Sequence, residues 1–278
     1  MTTTTSAAEP LVQVQRPLLL PSIYAGNARS VMSRGIQATA KTNWLIVVSG
    51  FFEPVFYLLA MGIGLGTFIG DIELPNGASV PYAAYIAPAL LAVSAMNGAV
   101  FDSTWNVFFK LNFGKLYDGM LATPLGPFDV ALGEIMLALL RGLVYACGFM
   151  IVMQVLGLNL SWTAILALPA VLLIAFGFAS FGMGITSYMK TFQHMDWINF
   201  VLLPMFLLSA TFYPLSVYPE WMQWIIQALP LWHGVELVRG FTTGMLSPMM
   251  FWHVAYYLAM ILVGMTLTTR RLKALFLT

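Results

Sequence analysis

The feature that most constrains this chain is the recurrence of long stretches with almost no charge. An α-helix rises 1.5 Å per residue, so about 20 apolar residues cross a ~30 Å hydrocarbon core. Six windows meet that requirement: Trp44 to Phe68, Tyr82 to Trp105, Asp129 to Leu156, Trp162 to Met189, Trp197 to Phe212 and Phe251 to Thr268. Only 8% of the 278 residues are charged and 60% are hydrophobic, whereas soluble domains carry about 25% charged residues. A water-soluble globule of this composition could not cover its own surface. The sequence therefore predicts an all-α polytopic membrane protein with six transmembrane helices. A net charge of +1 gives no global field for nucleic acid, and no such partner is expected. The single cysteine, Cys147, excludes an internal disulfide and a cysteine-built metal site.

Where the cations sit orients the spans, because Lys and Arg near helix ends are retained in the cytoplasm. Arg16, Arg29, Arg34 and Lys41 precede the first window, Lys110 and Lys115 follow the second, Lys190 the fourth, and Arg270, Arg271 and Lys273 the sixth. Six alternating spans put all of these on one side and predict that both termini are cytoplasmic. Arg141 then lies inside the third span and Arg239 outside the cell. The first 43 residues lack a basic start followed by a continuous apolar run, so the first span is expected to be its own uncleaved insertion signal.

Three domains of the chain follow: residues 1–21 as a disordered cytoplasmic N-terminus, 22–43 as an amphipathic interface helix, and 44–278 as the transmembrane domain. Projected at helical periodicity, Tyr24, Ala28, Val31, Met32, Gly35 and Ile36 share one face of the interface helix. Arg29, Ser30, Ser33, Arg34, Gln37 and Lys41 share the other. Such a helix either lies on the inner leaflet or docks on a cytoplasmic partner.

The inner loop Asn106 to Phe128 predicts a short helix over Phe113 to Ala122, stopped by Thr123-Pro124 and Gly126-Pro127. Its apolar residues Phe113, Leu116, Tyr117, Met120 and Leu121 recur three and four apart, with Lys115 and Asp118 between them. An exposed stripe of this kind needs a cover, either the membrane surface or another protein. On the outer side, Pro214, Pro219 and Pro230 interrupt the apolar segment Tyr213 to Pro248, which predicts two short helices dipping back into the outer interface. In the second, His233, Glu236, Gly240 and Thr243 share a side, with Arg239 adjoining.

No residues are expected to be catalytic or to ligate a metal. There is no G-x-x-x-x-G-K-[ST] to cradle nucleotide phosphates, and Gly62, Gly64 and Gly66 read as helix-packing residues. The topology separates His194 from His233 and His253, and Ser180 lacks a nucleophile motif. Ionisable residues inside spans are functional candidates by default. Glu53, followed by the helix-breaking Pro54, and Arg141, with Asp102 and Glu134 nearer the cytoplasm, either line a polar path or dimer seam or neutralise each other, Glu53 with Arg141 being one such pairing.

Three stretches carry a resemblance: Phe52-Glu53-Pro54-Val55-Phe56-Tyr57-Leu58 with Gly62-Ile63-Gly64-Leu65-Gly66; Leu121-Ala122-Thr123-Pro124-Leu125-Gly126-Pro127; and Phe212-Tyr213-Pro214-Leu215 continuing to Leu229-Pro230-Leu231-Trp232-His233-Gly234-Val235-Glu236-Leu237-Val238-Arg239-Gly240. In this order and placement the chain resembles the permease subunits of ABC-2 type exporters, in the branch of the nodulation lipo-oligosaccharide exporter and daunorubicin resistance permeases. The resemblance implies a non-catalytic transport subunit in a bacterial cytoplasmic membrane. It implies a coupling helix, Gly114 to Thr123, received by a separate ATP-binding subunit. The contact residues would be Phe113, Gly114, Lys115, Leu116, Tyr117, Asp118, Met120, Leu121, Thr123 and Pro124, assisted by Arg29, Arg34 and Lys41 of the interface helix.

The same resemblance implies an extracellular cap with Tyr213, Pro214, His233, Glu236 and Arg239 at the outer gate. Two such permeases, identical or homologous, would work with two ATP-binding subunits; ATP and Mg would sit on those partners and no cofactor on this chain. Phe52, Glu53, Phe56, Tyr57, Met96, Asn97, Phe101, Phe200, Met205 and Phe206 are the candidates for the substrate path or dimer seam. Their aromatic and methionine surfaces suit a lipid-linked glycan, a glycolipid or an amphipathic drug. Two other classes remain open. An ion-gradient-driven secondary transporter would need paired broken helices in inverted repeats, and one such break is visible; a membrane-embedded lipid-modifying enzyme would need catalytic groups brought together.

Overall fold

The computed structural model describes residues 26–40, 52, 54–74 and 77–276. The expected segment 1–21, the first residues of the interface helix, Lys41, the start of the first span and Glu53 lie outside the described residues. Helix α1 is Ala28–Ala40 and α2 is Pro54–Ile69. A small antiparallel hairpin follows, β1 (Asp71–Glu73) against β2 (Ser79–Pro81), with Ile72 opposite Val80. Next come α3 (Tyr82–Asn112), α4 (Leu116–Leu121), and α5 (Pro127–Val155) and α6 (Trp162–Thr186). The chain continues with α7 (Asp196–Leu208), α8 (Glu220–Ala228), α9 (Pro230–Thr243) and α10 (Met249–Phe276).

Four of these helices, α3, α5, α6 and α10, are long and apolar enough to cross a membrane. Helix α7 has 13 residues, about 20 Å of rise. It ends four residues before the expected Phe212, where Ser209 leaves helical geometry and Ala210 adopts φ +54. The described part of α2 is also shorter than a full crossing.

Helix α3 is the axis of the bundle. Ala84, Ala87, Ala89, Ala92, Ala95 and Ala99 are all buried along it, and small residues of this kind let neighbouring helices approach closely. Its regular winding is interrupted by a π-helical turn at Asp102–Asn106, a type of irregularity that recurs at functional sites. Helices α6 and α10 cross so tightly that a Cβ on Gly264 would fall 2.6 Å from the backbone of Ser180 and Phe181.

Helix α1 lies on α5 through a second close approach, where a Cβ on Gly133 would sit 2.5 Å from the Val31 Cβ. Ala28, Val31 and Gly35 are buried there, while Arg29, Ser30, Ser33, Arg34 and Gln37 are exposed. The chain's own α5 therefore covers much of the apolar back that the sequence left to a leaflet or a partner. Gly26, with φ +77, lies just before the described helix, which begins at Ala28. The end of the bundle carrying α1 and α4 is called basal below; the opposite end, with the β-hairpin, α8 and α9, is apical.

Candidate functional site

At the basal end, α4 is shorter than the expected Phe113 to Ala122. The chain reverses at Gly114 and Lys115, the latter at φ +41, and Phe113 packs its ring against Phe108 and Phe109 with centroids 6.0 and 5.5 Å away. The predicted exposed apolar stripe is not one face. Tyr117 is 0% exposed and Met120 7%, both turned into the bundle, with Leu116 and Leu121 half-buried. Helical spacing makes the stripe, but a short loop held against the ends of α3 and α5 uses most of it internally. The surface left outside is Phe113, Gly114, Lys115, Asp118, Thr123 and Pro124. Burial pushes the Tyr117 phenol well above its ordinary value, and its hydroxyl has no hydrogen-bond partner among the described residues.

A residue that sequence reasoning missed organises this end. Asp129, fully buried in the first turn of α5, accepts the Asn27 backbone N–H on Oδ1 at 2.8 Å and the Gly126 N–H on Oδ2 at 2.9 Å. The Asn27 side-chain amide in turn donates to the Pro124 carbonyl at 3.2 Å. One carboxylate thus joins the start of α1 to the exit of the α4 loop, and its charge sits favourably at a helix N-terminus. The signal was present in Gly126-Pro127-Phe128-Asp129, a proline at the first helical position followed by an acid in the first turn.

Within the bundle, a cavity of about 580 Å³ opens between α2, α3, α5 and α7. Tyr57, Asn97, Phe101 and Phe206 from the expected path line it, and Ser94, Trp105, Arg141, Tyr145 and Asn199 complete its polar and aromatic wall. Other expected path residues do not line it: Met96 and Met205 are buried in helix packing, while Phe52, Phe56 and Phe200 are exposed elsewhere. Arg141 pairs with Asp102, Nη1 to Oδ1 at 2.6 Å. The same oxygen accepts the Asn106 amide at 2.7 Å. Asp102 is therefore the described partner of Arg141; Glu53, the pairing that the sequence offered, lies outside the described residues. A second ion pair, Lys110 with Glu134, links the same two helices nearer the basal end.

At the apical end Arg239, 6% exposed, joins three elements. It donates to Glu236 at 2.6 Å and to the Ala210 carbonyl at 2.9 Å, and its guanidinium lies 4.0 Å from the centre of the Tyr85 ring. His233 and His253 are buried with their Nδ1 atoms 2.7 Å apart, so one ring donates and the other accepts. Burial first, then the neighbouring His253, brings the His233 pKa down to about 4. Among the described residues no three potential metal ligands converge. Tyr213 is 47% exposed and Pro214 half-buried, at the rim beside α8.

Comparison with known proteins adds the following. A model of the ABC-2 type transporter family matches residues 27–243. A Nodulation protein J from Rhizobium leguminosarum bv. viciae is 29% identical over 252 residues, covering 88% of this chain and 95% of that protein. Another, from Sinorhizobium fredii, is 31% identical over 212 residues, covering 76% and 79%. The Inner membrane transport permease YadH of Escherichia coli is 26% identical over 232 residues, covering 81% and 85%.

Proposed function

The chain belongs to the ABC-2 type transporter family, whose members are membrane transport subunits, and on that premise we propose that it is the permease half of an ATP-driven exporter, with its ATP-binding partner docked at the basal end. The basal end is then cytoplasmic. Helices α2 and α7 are the first and fifth of six spans, both termini lie inside the cell, and α8 and α9 form the outer cap. Residues 1–21 precede an interface helix and 44–278 form the transmembrane domain. The working unit is two permeases, identical or homologous, with two ATP-binding subunits that carry ATP and Mg.

One observation carries this reading: Asp129 ties α1 and the α4 loop to the first turn of α5. The exposed tip residues Phe113, Lys115 and Asp118 and the basic face of α1, with Arg29 and Arg34, are thereby fixed to one long helix. A ligand shifts a conformational equilibrium only through unequal affinity for the two states. A docking partner that closes on nucleotide therefore needs such a stiff element to pass its movement to the bundle, as rigid-body switching requires. The far end of that movement is the cavity between α2, α3, α5 and α7. Its aromatic and amide lining suits a lipid-linked glycan, a glycolipid or an amphipathic drug moved from the cytoplasm or inner leaflet. The family match and a relative that is a transport permease favour a transport subunit over a lipid-modifying enzyme.

The test is reconstitution of the chain with its ATP-binding subunit in liposomes. Asp118→Arg is expected to leave the permease inserted while abolishing nucleotide-dependent cargo movement. Unaltered transport by that variant, or gradient-driven transport by the permease alone, would count against the assignment.

A further inference from the structure

We propose that Arg141 is a head-group site, recognising an anionic group, phosphate, sulfate or carboxylate, on an amphipathic cargo held in the bundle cavity. Arginine within an apolar bundle is costly and is placed there for a partner or a task. Asp102 accounts for only part of it. Among the described residues the guanidinium makes one hydrogen bond, from Nη1 to Asp102. The planar fork offers five N–H donors, and the edge carrying Nε and Nη2 matches an oxyanion with two parallel bonds.

The setting points the same way. The Arg141 side chain is 16% exposed and forms part of the cavity wall, whereas Asp102, 7% exposed, does not line it and is anchored from its own helix by Asn106. The aspartate thus orients the guanidinium without occupying the cavity. Arg141 is the one charged side chain among the described residues lining that space, and the N–H donors that Asp102 leaves unused suit an anionic head group and offer a cationic one no acceptor. Ser94, Asn97 and Asn199 add neutral hydrogen-bonding groups, and Phe101, Trp105 and Tyr57 supply apolar surface for a chain. A cavity of about 580 Å³ falls within the roughly 300–1,000 Å³ range of small-molecule sites; an ion pair serving packing alone would need none.

The proposal rests on the export reading for how the cargo is moved, but its binding step is measured separately. Spin-labelled dodecyl phosphate, dodecyl sulfate, dodecanoate, dodecyl glucoside and dodecyl trimethylammonium are titrated onto the purified complex of this chain with its ATP-binding subunit in nanodiscs. At least one anionic probe is expected to bind about tenfold tighter than the glucoside, the scale of a charge-assisted hydrogen-bonded pair, and the cationic probe is expected to bind weakest. Arg141→Gln should erase the difference while leaving the glucoside unchanged, and Arg141→Lys should keep part of it. Asp102→Asn, which removes the competing carboxylate charge, should tighten anionic binding. Should Arg141→Gln fail to assemble, Asp102→Asn carries the test.

Equal affinity for anionic and neutral probes would overturn the proposal. So would loss of all probes alike in Arg141→Gln, unchanged or weaker anionic binding in Asp102→Asn, or displacement by inorganic phosphate as effective as by dodecyl phosphate. If the complex never assembles, the export reading fails; if it assembles and hydrolyses ATP but the probes bind alike, only this site does.

Discussion

The two ends of the bundle are built on different terms. At the basal end the decisive polar group, Asp129, is buried and spends one oxygen on the Asn27 N–H before α1 and the other on the Gly126 N–H at the cap of its own helix, and the tip beside it is left exposed. At the apical end Arg239 and the His233–His253 pair are buried and spend their hydrogen bonds within the cap and its neighbouring helices. The basal end carries its polar clamp beneath an open surface; the apical end keeps its charged and histidine groups inside, beneath an exposed aromatic rim. That difference fits the proposed reading of a subunit that is driven at its basal end.

The largest effect is expected from Tyr117→Asp, which puts a charge at a site with 0% exposure. Isolated buried charges are destabilising by several kcal/mol, so the variant should fail to accumulate, as read by membrane yield and thermal unfolding in detergent. Normal yield would return Tyr117 to the docking surface. Asp129→Ala comes next. It strands two backbone N–H groups that had charged partners, a loss of about 3 kcal/mol, and should also uncouple ATP hydrolysis from cargo. Coupled turnover at wild-type efficiency would break the idea that this end moves as one piece. Arg239→Met should destabilise by about 2 kcal/mol by removing the bond to the Ala210 carbonyl and the contact with Tyr85. It should leave binding of the ATP-binding subunit untouched, which separates the two ends.

A smaller effect is expected from acid. His233 resists protonation down to about 4, while an unfolded histidine takes up a proton near 6.5. The unfolded state therefore binds more protons across that window, and stability should fall as pH drops from about 6.5 to about 4. His253, Tyr256 and Trp232 pack against the ring, with Glu236 acting on His253, so the comparison is with His233→Asn, which should flatten that part of the unfolding profile; an unchanged slope would deny the histidine its role. The smallest change in stability is expected from Tyr117→Phe, which removes a buried hydroxyl without a partner. Its unfolding temperature should stay level or rise slightly, and a clear drop would reveal a partner for that oxygen.

Much of the architecture was legible from the primary structure because hydrocarbon thickness and helical rise leave few choices. The windows beginning at Tyr82, Asp129, Trp162 and Phe251 each became a long helix starting within two residues of the expected start, while α3 and α10 run seven and eight residues past the expected ends. The amphipathic face of α1 was legible too, since burial of Ala28, Val31 and Gly35 follows from spacing alone. What covers that face was not, because periodicity does not say whether lipid, partner or the same chain lies beneath it. The same ambiguity holds for Tyr117 and Met120, expected on an exposed stripe and turned into the bundle instead. Helix α7 was overextended because hydropathy does not register the left-handed turn at Ala210. The Arg141–Asp102 pair and the Asp129 clamp join residues 39 and 102 positions apart, and local pattern carries no information at that range. In the cavity, Asn97 and Tyr57 were expected, whereas Trp105, Tyr145 and Asn199 came only with the helix packing.

The central claim is that the exposed tip of the α4 loop faces the cytoplasm and is covered by the ATP-binding subunit. It is tested most directly by labelling Asp118→Cys, in a Cys147→Ser background, with a membrane-impermeant maleimide. The account predicts labelling in inside-out vesicles, protection when the ATP-binding subunit is bound, and no reaction in right-side-out vesicles. Labelling from the outer side, or equal labelling with and without the subunit, would contradict it.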